Sequence, residues 1–322
     1  MTKGIASLAA ACLLAGSAGG VHAQNSLTAR CTEQAPVADV DFCNTIAQAI
    51  EIAQPRIGIA ASAGNPTMGT SSTLGMRIGS FPRIAIAPRV TVAALDLPPI
   101  AQRNGDEIGA LVPAIGVDAG VGVFSGLAMF PTVGGFGSLD VYGSLGRVLL
   151  PGDEGFDGGI TTWALGAQVG ILRESFTAPG ISVTGTYRSI GDISFGDELV
   201  TDSDAHFALD GLRAWGLRGT IGKRFLLFSA TAGAGYDWYE SDVLMRFATD
   251  DPSLEGSRTI ETAEFGSRRF TGFGNLAFTV VIVSVVGELG WQQGAGPFTG
   301  PGASDLLEKG GWYGSLALRL TL

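Results

Sequence analysis

Trp312–Leu322, WYGSLALRLTL, divides cleanly by parity. Trp312, Gly314, Leu316, Leu318, Leu320 and Leu322 share one parity; Tyr313, Ser315, Ala317, Arg319 and Thr321 share the other. Successive side chains of a β-strand leave on opposite faces, so the segment reads as a strand with one greasy face and one small or polar face. The pattern recurs upstream. Over Thr162–Arg173, Trp163, Leu165, Ala167, Val169 and Ile171 oppose Thr162, Ala164, Gly166, Gln168 and Gly170. Over Phe225–Tyr239, Leu226, Phe228, Ala230, Tyr236 and Trp238 oppose Ser229, Thr231, Gly233 and Asp237. Segments 181–190 and 282–293 behave alike. Arg213 shares the greasy parity of Leu209, Trp215 and Leu217, which a bulge or an interfacial position explains.

Periodicity predicts about twelve strands: 56–63, 72–80, 82–96, 109–124, 136–148, 160–173, 180–190, 206–221, 224–240, 267–279, 282–293 and 310–322. Ten or fourteen also fit, because the first two segments are weak and 109–124 is long. An even count puts both chain ends on one side. Tight connections are expected there at Ser80–Phe81, Gly222–Lys223 and Val280–Val281. The far side takes longer segments with acidic clusters: Asp106-Glu107, Asp153-Glu154, Asp197-Glu198, Asp202, Asp204 and Asp250-Asp251.

The greasy parity carries aromatics near predicted strand ends: Trp163, Tyr187, Trp215, Trp238, Trp291 and Trp312. Amphipathic rings favour the headgroup level of a bilayer, so these form an expected girdle. The other parity carries Arg77, Arg83, Arg89, Asp118, Asp140, Arg188, Arg218, Asp237, Glu288 and Arg319, with Arg56 read the same way. Charge is expensive against lipid tails, so these groups are expected in the lumen. A soluble lipocalin-type barrel reverses the pattern, with a greasy interior.

The reading is therefore an all-β, antiparallel transmembrane β-barrel with a short N-terminal helical segment. The final strand resembles the closing strand of a Gram-negative outer-membrane β-barrel, porin-like, although Leu322 stands where such strands usually carry Phe or Trp. That resemblance implies an outer-membrane location, contact with lipid and lipopolysaccharide, and recognition of the last strand by barrel-assembly machinery.

Composition agrees. The 322 residues include 49 Gly and only 16% charged residues, and mean hydropathy is +0.31. Beyond the N-terminus no apolar run is long enough for a membrane helix. A net charge of −10 without a basic stripe argues against nucleic acid as a partner. Lys3, the apolar stretch Ile5–Gly20 and Val21-His22-Ala23 read as a signal peptide over 1–23. A membrane anchor and a lipidated Cys12 are the alternatives. Residues 24–55 form an expected periplasmic or plug segment, followed by the barrel over 56–322. There Asp41 is read as the cap of a helix presenting Phe42, Ile46, Ala49, Ile50 and Ala53, and Pro55 as its end. Cys31 and Cys43 read as one disulfide, with two free thiols as the alternative.

Function is less determined. In a filled barrel the inner charges form an ion-pair network. In an open one, a basic wall at Arg77, Arg83 and Arg89 facing Asp118 and Asp140 selects polar or charged solutes. Passive passage of small solutes is the leading expectation. A sealed structural or surface barrel is one alternative. A hydrophobic-compound carrier with an N-terminal hatch is another: the order of signal peptide, helical segment and strands resembles the long-chain fatty-acid transporter family, as does Asn65-Pro66 in GNPTMG. No enzyme is expected. His206, in TDSDAHF, is the one histidine beyond the leader and reads as a surface residue. No cofactor or metal ligand set is expected; outer acidic groups bridging to lipopolysaccharide through divalent cations remain a possible use.

Overall fold

The computed structural model describes residues 20–76, 82–103, 105–128, 134–176, 178–200, 204–250, 256–297 and 300–322, without the side chains of 20–26 and 263. The expected leader lies almost wholly outside this range, as do Arg77 and the Ser80–Phe81 turn.

Ten antiparallel strands close into one barrel, each paired with its sequence neighbours and the last with the first. They are β1 (Ile84–Leu97), β2 (Ile108–Phe124), β3 (Ser138–Leu149), β4 (Gly159–Leu172), β5 (Gly180–Phe195), β6 (Ala205–Phe225), β7 (Phe228–Ala248), β8 (Ser257–Val280), β9 (Val283–Gln292) and β10 (Gly311–Thr321). Closure leaves no unpaired edge, which lipid would not tolerate. Ten of the twelve predicted strands therefore fall on real ones. The first two do not: 56–63 is helical, and 72–76 forms no named strand, so the barrel starts at Ile84 rather than at 56. The predicted tight turn at Gly222–Lys223 lies inside β6; the chain reverses at Leu226–Leu227 instead. A register shift between Asp210 and Arg213, with Gly211 at φ +62°, supplies the bulge that turns Arg213 outward. Its Nε meets the Glu240 carboxylate at 2.9 Å.

Chain reversals at one end are short at Leu226–Leu227 and Val281–Ile282, and β10 ends there. The other end carries the connections 98–107, 150–158, 196–204, 249–256 and 293–310. The inner end also holds 173–179 and the 125–137 connection, which is longer than most of the outer ones, so the orientation rests on the two tight turns and on both barrel ends lying at that side.

Around the inner part of the barrel the outward side chains are apolar, among them Leu165, Val169, Leu217, Leu289 and Leu316, each exposed. Trp163, Tyr187 and Trp215 touch in series across β4, β5 and β6, with centroids 5.6 and 4.7 Å apart. Trp238 and Trp215 are register partners, as are Trp291 and Trp312.

Above the aromatic row the alternation inverts. In β7 the inward residues change from Ser229, Thr231 and Asp237 to Val243, Met245 and Phe247, while Glu240 and Asp242 face out. Likewise Arg188 gives way to Ile190, Ile193 and Phe195, and Arg218 to Leu212, Leu209 and Phe207. The outer end is a collar with a hydrophobic interior and a polar outside, built like a soluble barrel.

The interior is occupied by the N-terminal segment. Helix α1 (Gly20–Gln34) lies beside β8, and α2 (Val40–Ser62) runs down the lumen. Ten strands tilted by about 40° make a wall roughly 20 Å across, backbone to backbone, which is room for one helix of ~10–12 Å. Phe42, Ile46, Ala49, Ile50 and Ala53 are all buried. A Cβ on Gly58 would stand 2.1 Å from the Tyr239 ring, so glycine lets the helix and wall approach. Pro55 does not end α2, and Asp41 does not cap it. Asp39 precedes the helix and makes no cap bond, because its carboxylate is used elsewhere. It accepts from Arg103 Nη2 at 2.8 Å, Thr249 Oγ1 at 2.6 Å and Asp250 N at 3.0 Å, tying the entry of α2 to two outer loops. Cys31 and Cys43 are joined by a disulfide that clamps α1 to α2.

Two outcomes follow. Leu217→Arg, placing charge in the apolar outer band, should lower folding stability in lipid vesicles by about 2–4 kcal/mol, measured by equilibrium unfolding. Burial raises the Asp39 carboxyl pKa, but the Thr249 and Asp250 hydrogen bonds and the charge of Arg103 outweigh it and the net shift is downward. A lowered folded-state pKa means the anchor is complete above the ordinary carboxylate range and is lost as pH falls through the lowered value. Proteolysis of the N-terminal segment should therefore be flat from pH 7 to about 5 and accelerate only below the ordinary Asp pKa of about 4.

Candidate functional site: the lumen and its plug

Helix α2 contains a proline, and its consequences organise the lumen. Pro55 has no N–H for the carbonyl of Glu51, four residues earlier. Arg269 of β8 replaces that donor: its Nη2 reaches both the Glu51 carbonyl and the Glu51 carboxylate at 3.1 Å. Both side chains are buried. Around this pair runs a polar belt. Gln54 donates to Ser241 Oγ at 3.0 Å and accepts from Ser267 Oγ at 2.6 Å. Arg56 belongs to α2 and not to a strand; it donates to the carbonyls of Gln292 and Lys309.

The end of α2 is met by a second arginine. Arg89 of β1 donates to Ser62 O at 2.6 Å and Ala61 O at 2.9 Å, and its Nε lies 3.3 Å from Asp118 of β2. A cation there satisfies orphan carbonyls and complements the negative end of the helix dipole. Ala63, at φ +56°, then turns the chain out of the helix.

Below the helix, residues 63–76 fill the inner lumen as an irregular loop whose backbone is held by wall charges. Glu288 of β9 accepts from Gly64 N at 2.8 Å and Asn65 N at 3.0 Å, and also from Asn275 Nδ2. Asp140 of β3 accepts from Leu74 N and Gly75 N. Arg218 of β6 donates to Gly64 O at 3.1 Å and pairs with Asp237 at 2.8 Å. Arg319 of β10 donates to Met68 O, and Arg83 to Leu74 O. The GNPTMG motif is the tip of this loop. Asn65 Oδ1 accepts from Thr67 N, and its amide donates to Thr70 O, so the turn is self-supporting.

The structure thus places Arg89, Asp118, Asp140, Arg188, Arg218, Asp237, Glu288 and Arg319 inside the barrel, and Arg83, exposed, at its inner mouth. Among the described residues, Arg188 makes one side-chain hydrogen bond, to Ser144 Oγ at 3.4 Å. The walls do not stand apart as basic and acidic faces: Arg89 pairs with Asp118, and Asp140 binds the plug. Sequence reasoning missed Arg269 and Glu51. Arg269 had a signal, since it shares parity with Ser267, Thr271 and Asn275; Glu51 had none. His206 is buried, not at the surface, and its ring meets the Gly196 carbonyl at 3.2 Å. Among the described residues no group of three or more His, Cys, Asp or Glu stands ready for a metal ion.

A closed barrel with a lipid-facing apolar band, an aromatic row and a charged interior defines an outer-membrane β-barrel, and the outer membrane is where this protein resides. No protein-family model matches the chain, and no curated protein matches it. Similar folds occur among solved structures. The translocator domain of autotransporter NalP from Neisseria meningitidis aligns at 9% identity and TM-score 0.43, over 86% of this chain and 97% of that one. Outer membrane protease OmpT from Escherichia coli aligns at 13% identity and TM-score 0.36, over 75% and 96%. The COG4313 outer membrane channel from Pseudomonas putida F1 aligns at 10% identity and TM-score 0.35, over 79% and 98%. These likenesses concern the fold alone.

Arg269→Met leaves the Glu51 carboxylate and carbonyl buried without their cation and should cost about 3–5 kcal/mol. Arg213→Met, which removes a solvent-exposed pair, should cost far less. Urea unfolding of the two variants in the same detergent checks the contrast.

Proposed function

We propose that this barrel is closed at rest by its own N-terminal segment. It acts at the outer surface through its collar and loops, and is not an open channel for small solutes. The observation supporting this is the filling of the collar by α2. Burial of Phe42, Ile46, Ile50, Ile57 and Ile59 stabilises the seated helix by on the order of 10 kcal/mol. The ion pairs at Glu51 and Arg89 add to that. Inner charges serve as plug ligands in this reading, and β10 serves as the strand read by assembly machinery. No catalytic role is assigned to His206.

A carrier with an N-terminal hatch is the second reading. It is favoured by the inner half of the plug, where an irregular loop is held by polar contacts rather than by an apolar core.

The refolded mature protein should be electrically silent in a planar bilayer while still showing a heat-modifiable band. A variant lacking residues 24–76 should give discrete ohmic steps. Steps of similar size from the intact protein would refute the sealed reading.

A further inference from the structure

The inner mouth of the barrel opens into a cavity of about 1030 Å³ beneath the plug loop. Five cations line it: Arg83, Arg173, Lys223, Arg224 and Arg319, against one side-chain carboxylate, Glu174, with Leu322, the last residue, also in the lining. Deeper in the lumen Arg89, Arg218 and Arg269 each have a carboxylate partner, while Arg56 and Arg188 meet carbonyls and a hydroxyl. At the mouth the cations cluster: among the described residues, none of the five lies within ion-pair distance of a carboxylate. Glu174 instead accepts from the backbone N–H of Arg224. Lys223 is steered by the carbonyls of Ser175, Phe176 and Ala178.

Gathering five cations in one concave space is unfavourable unless negative charge arrives to offset their mutual repulsion. Guanidinium groups present paired N–H donors matched to phosphate and carboxylate oxygens. The cavity is at the upper end of the size range for small-molecule sites. We propose that this inner vestibule binds a multivalent oxyanion, a phosphate- or polycarboxylate-bearing ligand, from the periplasmic side. A soluble anion and an anionic lipid headgroup share that chemistry. The inference goes beyond the sealed-barrel reading and does not depend on it: binding is read by calorimetry, sealing by conductance.

The test is titration of the folded, full mature protein in zwitterionic detergent with sodium pyrophosphate, with citrate and, separately, with micellar phosphatidylglycerol. Saturable binding of pyrophosphate or citrate, weakened by added salt, assigns the site to a soluble anion. Binding of phosphatidylglycerol alone assigns it to a headgroup. In either case Arg173→Gln/Arg224→Gln/Arg319→Gln should weaken binding at least about tenfold, since each charge-assisted bond is worth a factor of that order. The single exposed change Arg224→Gln gives a smaller loss in the same direction and guards against failure of the triple variant to fold. Arg213→Gln, on the outer wall, should leave affinity unchanged. Absence of binding by all three probes, or binding indifferent to Arg224→Gln and to the triple variant, overturns the proposal.

Discussion

A ring of ten strands is too wide for wall side chains to meet across it and too narrow for more than one helix. Most of this structure answers that constraint. Helix α2 fills the bore because a helix satisfies its own backbone, and it needs outside help only where its ladder fails. It fails at Pro55, where Glu51 loses its donor, and at Ser62, where the carbonyls run out. Arginines from the wall, Arg269 of β8 and Arg89 of β1, stand at the two places. Each is paired with a carboxylate, Glu51 on the helix and Asp118 on the wall, so neither of these two buried cations is left alone. The inner loop extends the same logic: wall carboxylates take its N–H groups and wall arginines take its carbonyls. Most of the lumen charges hold the plug directly or pair with one that does.

The wall meets two solvents. Below the aromatic row, lipid is outside and polar plug within, so strands read greasy-out. Above it, water is outside and an apolar helix within, so the same strands read greasy-in. β5 to β8 cross this boundary, and their long outer ends enclose the collar. A single strand can thus carry opposite alternation in its two halves while its backbone pairing continues across the change.

This explains what the sequence made legible. Strands whose greasy parity is constant, such as Trp312–Leu322 and 162–173, are recognised almost to the residue. Three strands that change solvent are recognised only in their membrane half: 224–240 stops near Tyr239 while β7 continues to Ala248, and 180–190 and 267–279 likewise fall short of β5 and β8; β6, read over 206–221, is the exception. The error at 56–63 has another cause. Ile57-Gly-Ile-Ala alternates as a strand does, and Pro55 reads as a stop, yet inside a barrel a helix can be apolar all round and a wall arginine can cover for proline. The lumen charges were visible because membrane strands leave them nowhere else to face. Their partners were not, since Glu51 and Arg269, or Gly64 and Glu288, meet only through closure of the ring.

The chain passes through its own barrel. Asp39 and the disulfide-linked helices sit at the outer mouth, while β1 begins at the inner one, so the ring encircles a continuous polypeptide as a bead encircles its string. The paired helices are broader than a bore that admits one, and they act as a stopper on that string. The plug cannot be drawn out toward the periplasm while the Cys31–Cys43 bridge holds; it leaves outward or when the β1–β10 seam parts. Assembly inherits the same geometry. Either the seam shuts around a strand of chain already in place, or the N-terminal segment threads the finished ring before the Cys31–Cys43 bridge forms.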